Sequence, residues 1–335
     1  VSADGGTIKL DGNYPVGTGN VALGDTALDD GSLSGGYNTA IGNEALTANT
    51  SGSVNVAVGQ GTLYLNTTGQ SNVAVGGNAM ADNTTGNYNT AIGRYALADN
   101  TTASNNTAVG YQAGYSNTTG VNNLSLGFQA GYTNATSNYN TAVGTQSLAN
   151  NTGSNNVALG QSALFSNTTA SYNTASGYSS LKLNTTGSEN AGFGSFSLQS
   201  NTTGGSNTAL GYQALDANTT GSNNVAIGRD ALVYNTTASN NVAVGEDALR
   251  SNTTSSNNTA VGQQSMYYTT GTYNAALGQT ALHLNTTGNY NVAIGGSSLF
   301  SNTTASENTA VGYQAMYSNT TGTPNVAVGR QALRS

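Results

Sequence analysis

One five-residue pattern recurs along almost the whole chain: Asn, then Val or Thr, a small residue, an aliphatic residue and Gly, as in Asn106-Thr107-Ala108-Val109-Gly110. Its leading Asn falls at Asn20, Asn38, Asn55, Asn72 and onward to Asn308 and Asn325, roughly nineteen copies about 17 residues apart. The spacing slips to 18 once and to 16 twice. A fixed period of this size marks a solenoid, in which one supersecondary unit is stacked many times. The expectation is an all-β, parallel β-solenoid of about nineteen 17-residue coils spanning 19–335. Residues 1–18 lie outside the repeat and read as an N-terminal cap or junction, with a short strand at Thr7–Leu10 and a turn at Asn13-Tyr14-Pro15. At the other end, Gly329 to Ser335 stops partway through a coil, so the natural polypeptide is expected to continue or to be processed there.

Within a coil the pattern reads as strand, bend, short strand and turn. In Asn224-Val225-Ala226-Ile227-Gly228, alternation places Val225 and Ile227 on one face and Asn224 and Ala226 on the other. The aliphatic pair is expected to face inward, and the small side to face another copy of the chain. A Leu or Met follows the Gly by four residues, as at Leu232 and Met316; Gly114 and Gly131 replace it twice, and Tyr115 and Tyr132 are expected to fill the space. Asn-Thr-Thr-Gly, as at Asn218 to Gly221, suits a tight turn. Both 16-residue coils lose their residue in this segment, at Asn151-Thr152-Gly153 and at Tyr268-Thr269-Thr270-Gly271, which marks it as a loop. Asn106, Asn224 and Asn241, with Gly110, Gly228 and Gly245, stand for the expected structural ladder, in which side-chain amides bond from coil to coil. Three aliphatic side chains per coil bury too little to offset the backbone entropy of ordering the coil. Burial against other subunits is therefore expected.

Charged residues make up only 6% of the chain and the formal net charge is -7, which excludes a basic nucleic-acid footprint. There are no cysteines, hence no disulfides or thiolate chemistry. No apolar run approaches a membrane span. A nucleophile–base pair needs a histidine or an equivalent held by a third group. The one histidine, His283, reads as an exposed loop residue. The carboxylate pairs Asp29-Asp30 and Glu246-Asp247 do not recur with the period and read as solvated surface. No catalytic, metal or cofactor site is expected. Asn-Thr-Thr formally matches the N-glycosylation acceptor at Asn66, Asn83, Asn117, Asn184, Asn218 and Asn285, but reads first as turn chemistry. Tyrosines after the repeat Gly, at Tyr111, Tyr178, Tyr212 and Tyr313, are candidates for stacking on sugar rings; packing onto neighbouring coils is the simpler reading. Threonines that alternate with Val or lie in turns do not make the flat array of an ice-binding face.

Asn-Val-Ala-Ile-Gly followed by a small or Leu position resembles the head repeat of YadA-type trimeric adhesins. The longer unit seen at 308–322 is similar to repeats in bacteriophage tail-fibre proteins, and Gly5 to Thr18 to segments that precede such arrays. This resemblance implies a left-handed β-roll assembled as a parallel homotrimer, located on a virion or an extracellular surface. It implies a fibre shaft that presents a receptor-binding part for host attachment. Other fibre or virion proteins and a host surface glycan would be its partners, without nucleic acid or membrane insertion. The alternatives are a cell-surface adhesin or extracellular filament binding glycans along its side, and a polysaccharide-degrading tailspike, which would need paired carboxylates in a groove.

Overall fold

Each copy of the pattern forms one three-residue strand in the computed structural model, which describes residues 17–334. There are nineteen such strands, from Val21–Leu23 to Val326–Val328, and no helix among the described residues. The chain falls into two units, Val1–Thr169 and Ala170–Ser335. In the first, consecutive strands run parallel and in register, Thr107 beside Leu124 and Val109 beside Leu126. In the second the same holds, with Val225 beside Val242 and Ile227 beside Val244. Each unit is a parallel β-solenoid. The strand and turn expected within residues 1–16 lie outside the described residues, whereas Thr18 already belongs to the first rung, its carbonyl accepting from the Tyr37 N–H at 2.8 Å.

The two faces of the strand are the reverse of the sequence expectation. Asn224 and Ala226 are completely buried, while Ile227 is 36% exposed and Leu210, one rung earlier, 48% exposed. The small residue faces inward because the interior is narrow. Ala226 shares it with Ala231, Leu232 and the amides of Asn224 and Asn235, all fully buried, which leaves no room for two further branched side chains. The aliphatic residues therefore line the outside.

No second strand forms. The stretch after the Gly is a run of turns in which Asp230 (φ 57°) and Leu232 (φ 51°) take left-handed backbone conformations. Alternating handedness lets Ala231 and Leu232 both point inward, which an extended segment with its two-residue period does not allow. The conformation costs on the order of 1–2 kcal/mol for a residue as bulky as Leu, and burial of the whole side chain offsets it. The repeat Gly is obligatory for a different reason. Gly228 sits at φ 132°, and a Cβ there would lie 2.5 Å from the Gly245 carbonyl oxygen on the next rung.

Two buried asparagine ladders hold the rungs together. In the first, the Asn224 backbone N–H donates to Asn207 Oδ1 at 3.0 Å, and its own Oδ1 accepts from the Asn241 N–H at 3.0 Å. Its Nδ2 donates to the Ala238 carbonyl at 2.8 Å. Asn106 repeats these bonds with Asn89, Asn123 and the Gly120 carbonyl. The second ladder is built by the Asn of Asn-Thr-Thr: Asn218 Nδ2 donates to Asn201 Oδ1 at 2.7 Å and to the Gly221 carbonyl at 3.0 Å. Beside it Thr219 Oγ1 donates to the Thr236 carbonyl at 3.0 Å. Asn-Thr-Thr is thus a corner whose Asn faces inward, not a turn tip. A buried amide network of this kind, with only a few unpartnered atoms such as Asn117 Oδ1 and Asn308 Nδ2, replaces the large apolar core that these coils lack.

Candidate functional site

With the interior filled by amides and the inward Ala and Leu side chains, what remains for interaction is the outer surface. Its first component is the outer strand face, an aliphatic stripe in each unit. In the first unit Ile41, Ile92, Leu126 and Leu159 lie on it, and in the second Phe193, Leu210, Ile227, Leu277 and Ile294, all exposed. Rows of this length with nothing covering them exceed the scattered apolar residues of an ordinary surface. Exposed tyrosines border the stripe at Tyr37, Tyr88, Tyr139, Tyr172, Tyr273 and Tyr290; Tyr273 and Tyr290 stack at 5.2 Å between ring centroids.

The second component lies past the repeat Gly, where three side-chain columns run from rung to rung. One holds the residue directly after Gly, one the residue after that, and one the residue after the inward Leu. The four candidate sugar-contacting tyrosines all fall in the first column and all are exposed, but their neighbours differ. Tyr111 stacks on Phe128 (5.7 Å, 14° between planes) and meets the edge of Tyr95. Tyr178 and Tyr212 both pack edge-on against Phe196 from adjacent rungs. Tyr313 stands over Gly296, where an added Cβ would meet its ring at 3.5 Å. The geometry does not bring the four together.

His283 is half-buried in the third column, not an exposed loop residue. It stacks on Phe300 (5.2 Å, 5°) and faces Tyr267 at 5.3 Å; Phe300 in turn stacks on Tyr317 at 5.1 Å. Its Nδ1 lies 3.0 Å from the Gln264 carbonyl and donates to it when that nitrogen carries the proton. Arg250 closes one end, donating to the Tyr267 hydroxyl at 2.7 Å, and Arg334 lies over Tyr317 at the other. A side chain held by two ring faces and a carbonyl is a packing element. Tyr115 and Tyr132 also belong to this column, stacked at 5.3 Å and half-buried. They do not fill the interior left by Gly114 and Gly131. Leu97 and Ser125 crowd those glycines instead.

The carboxylates are engaged locally. Asp30 accepts from the hydroxyl and the N–H of Ser32, and these bonds lower its pKa. Glu246 pairs with Arg229, and Asp247 with Arg250 at 3.3 Å. Asp216, partly buried in the third column, has its pKa raised to about 6, first by desolvation and then by the charge of Asp230. Asp99 is raised by desolvation and by Asp82, against a hydrogen bond from Ser116. No group of three or more potential metal ligands occurs among the described residues.

The Asn-Thr-Thr asparagines Asn66, Asn83, Asn117, Asn184, Asn218 and Asn285 are all buried. In Asn66, Nδ2 already donates to Asn49 Oδ1 and to the Gly69 carbonyl, so glycosylation there would require the rung to open. Phe128 and the glutamines beside it carry no motif of their own. They stand out only when the columns are read at the repeat spacing. No protein-family model matches this sequence, and no curated protein does.

Proposed function

We propose that the chain is a structural fibre shaft, of the kind used in a phage tail fibre, which holds a receptor-binding part away from a virion for host attachment. The observation that carries this reading is the aliphatic stripe on the outer strand faces. Each solenoid satisfies its own backbone internally yet leaves a row of Val, Ile and Leu in water. A parallel homotrimer of left-handed rolls, with these stripes turned toward a common axis, would bury it. Repeated rungs supply length and stiffness. Association would involve like chains, together with other fibre or virion proteins at the ends.

The test is the solution mass of the chain by light scattering, together with negative-stain electron microscopy. Three chains of 33.5 kDa each and a rod-shaped particle are expected. A monomer, or a globular particle, would remove the reading. Replacing Leu210 and Ile227 by Asp should dissociate the assembly while each chain keeps its β-sheet signal.

The exposed aromatic columns favour a second reading, a cell-surface adhesin or extracellular filament that binds glycans along its side. Rings in water are costly unless they meet something, and Tyr and Phe on an almost uncharged surface suit sugars better than charged partners. Binding of the isolated chain to polysaccharide would favour it.

A further inference from the structure

In the first unit two aromatic columns stop on the same rung. Phe128 ends the stack it makes with Tyr111, and Tyr132 ends the one it makes with Tyr115. On the following rung the corresponding residues are Thr145 and Ala149. The register is fixed by backbone bonds, Gln146 N–H to the Phe128 carbonyl at 2.8 Å and Ser162 N–H to the Thr145 carbonyl at 3.0 Å. Thr145 is exposed, and Ala149 is 6% exposed. The step next to Phe128 thus faces solvent, and the one next to Tyr132 is covered.

The rungs on either side of Thr145, carrying Phe128 and Gln161, are two strand spacings apart, about 9.6 Å. A ring at the level of Thr145 would lie about 4.8 Å from each wall, a separation that a puckered pyranose with its axial hydrogens bridges and a flat ring does not. Phe128, 46% exposed, stacks on Tyr111 on one side and on no further ring on the other among the described residues.

The back of the recess is the end of an amide ladder. Gln129 Nε2 donates to Gln112 Oε1 at 3.0 Å, and Gln146 Nε2 donates to Gln129 Oε1 at 3.2 Å. All the bonds run the same way, so the ladder finishes with Gln146 Oε1, to which no donor among the described residues is directed. Thr145 Oγ1 and the Gln161 amide add a hydroxyl and a further donor and acceptor. No ionisable side chain belongs to this set.

We propose that this recess binds one pyranose ring of a neutral glycan. The C–H face of the sugar lies on Phe128, one hydroxyl donates to Gln146 Oε1, and others exchange hydrogen bonds with Thr145 and Gln161. A wholly apolar ring would leave the amide and hydroxyl unmatched, and an anionic sugar would find no counter-charge. A single ring held this way binds with a dissociation constant on the order of 1–10 mM, so a polymer that offers many rings is the appropriate probe. The proposal rests on the second reading above and gives it a site.

The whole assembled chain is run by affinity electrophoresis through gels containing a soluble neutral β-glucan, a neutral galactomannan or a polyuronate. Retardation by at least one neutral polymer is expected, at least tenfold weaker in Phe128→Ala. Thr145→Tyr should abolish it by continuing the ring column into the recess. That variant uses a residue the same column already accepts at Tyr111, so it keeps the test decisive if Phe128→Ala fails to fold. Retardation by the polyuronate alone overturns the proposal. Retardation unchanged in both variants also overturns it, but leaves lateral glycan binding standing at another set of rings. No retardation in any gel removes both, without touching the fibre reading, which depends on mass and particle shape.

Discussion

The two 16-residue coils, Asn140–Asn155 in the first unit and Asn258–Tyr273 in the second, lack a residue at the same corner and absorb the loss in opposite ways. In the first the amide ladder survives. Asn151 Oδ1 accepts from Asn167 at 2.7 Å, while its Nδ2 reaches Asn134 Oδ1 at 3.3 Å and the Gly153 carbonyl at 2.7 Å. In the second the equivalent residue is Thr269, completely buried, with a hydroxyl that finds no partner. Asn252 Oδ1 accepts instead from the Ser255 N–H of its own coil at 3.2 Å. Outside, the contrast reverses. Around the first coil the third column reads Tyr132, Ala149, Phe165, a ring column with a gap. Around the second it runs unbroken through Tyr267, His283, Phe300 and Tyr317. Neighbouring rungs can thus be tied from within by amides or from without by rings, because both kinds of side chain recur at the same spacing.

Giving the first coil the defect of the second should have the largest effect. Asn151→Thr removes from the interior the oxygen that accepts from Asn167 and Asn156 and the amide that donates to Asn134; it is expected to cost about 2–3 kcal/mol, read as a lower denaturant midpoint and as faster hydrogen exchange in the amides of Leu148 to Asn156. Cutting the outer tie of the second coil comes next. Phe300→Ala removes two stacked pairs and should destabilise by about 1–2 kcal/mol; no change in the exchange of the Tyr268 and Leu284 amides would show that the column does not hold these rungs. Repairing the inner tie is smaller. Thr269→Asn should stabilise by about 1 kcal/mol by bridging Asn252 to Asn285, and a neutral or destabilising result would mean that the shortened corner cannot seat an amide beside Met266.

The smallest effect is electrostatic and concerns Asp216, two rungs before Arg250 on the same outer column. Its folded pKa of about 6 lies above the ordinary carboxyl value of 3.8, so the folded state binds the proton more tightly than the unfolded chain. Stability is then greatest below the unfolded pKa, falls as pH rises from about 3.8 to 6, and is level above that. Because the residue is only partly buried, solvent screening should keep the change below about 1 kcal/mol. Asp216→Asn should flatten this part of the pH–stability curve, and an unaltered slope would assign it to other groups.

Much of this was legible in the sequence. The period, the strand at each Asn-Val-Ala-Ile-Gly and the paired gaps of the short coils follow from spacing alone. Alternation separated Ala226 from Val225 and Ile227 but does not say which face is inside. That is decided by the room left once Ala231 and Leu232 both point inward, and their doing so depends on left-handed turns at Asp230, a type that tolerates them, and at Leu232, which no propensity favours. The Asn of Asn-Thr-Thr resembled turn chemistry because its real partners lie a full coil away, at Asn201 for Asn218. Among candidate site residues, Tyr111 was visible as a recurring type, whereas Phe128, Gln129 and Gln146 acquire meaning only as a set. His283, unique in the chain, gave no periodic signal, and its column shows only when rings of different residue types are counted together.

The one-way run of the asparagine bonds has a consequence for how such a chain can change length. Within each unit, successive rungs offer the same acceptor to the next and take the same oxygen from the one before, as Asn224 does between Asn207 and Asn241. A duplicated or excised rung would therefore rejoin with matching partners, making copy number a freely adjustable quantity. Both single-residue losses fall at the Thr-Thr corner, while the one 18-residue coil carries its extra length just before it, between Leu28 and Leu33.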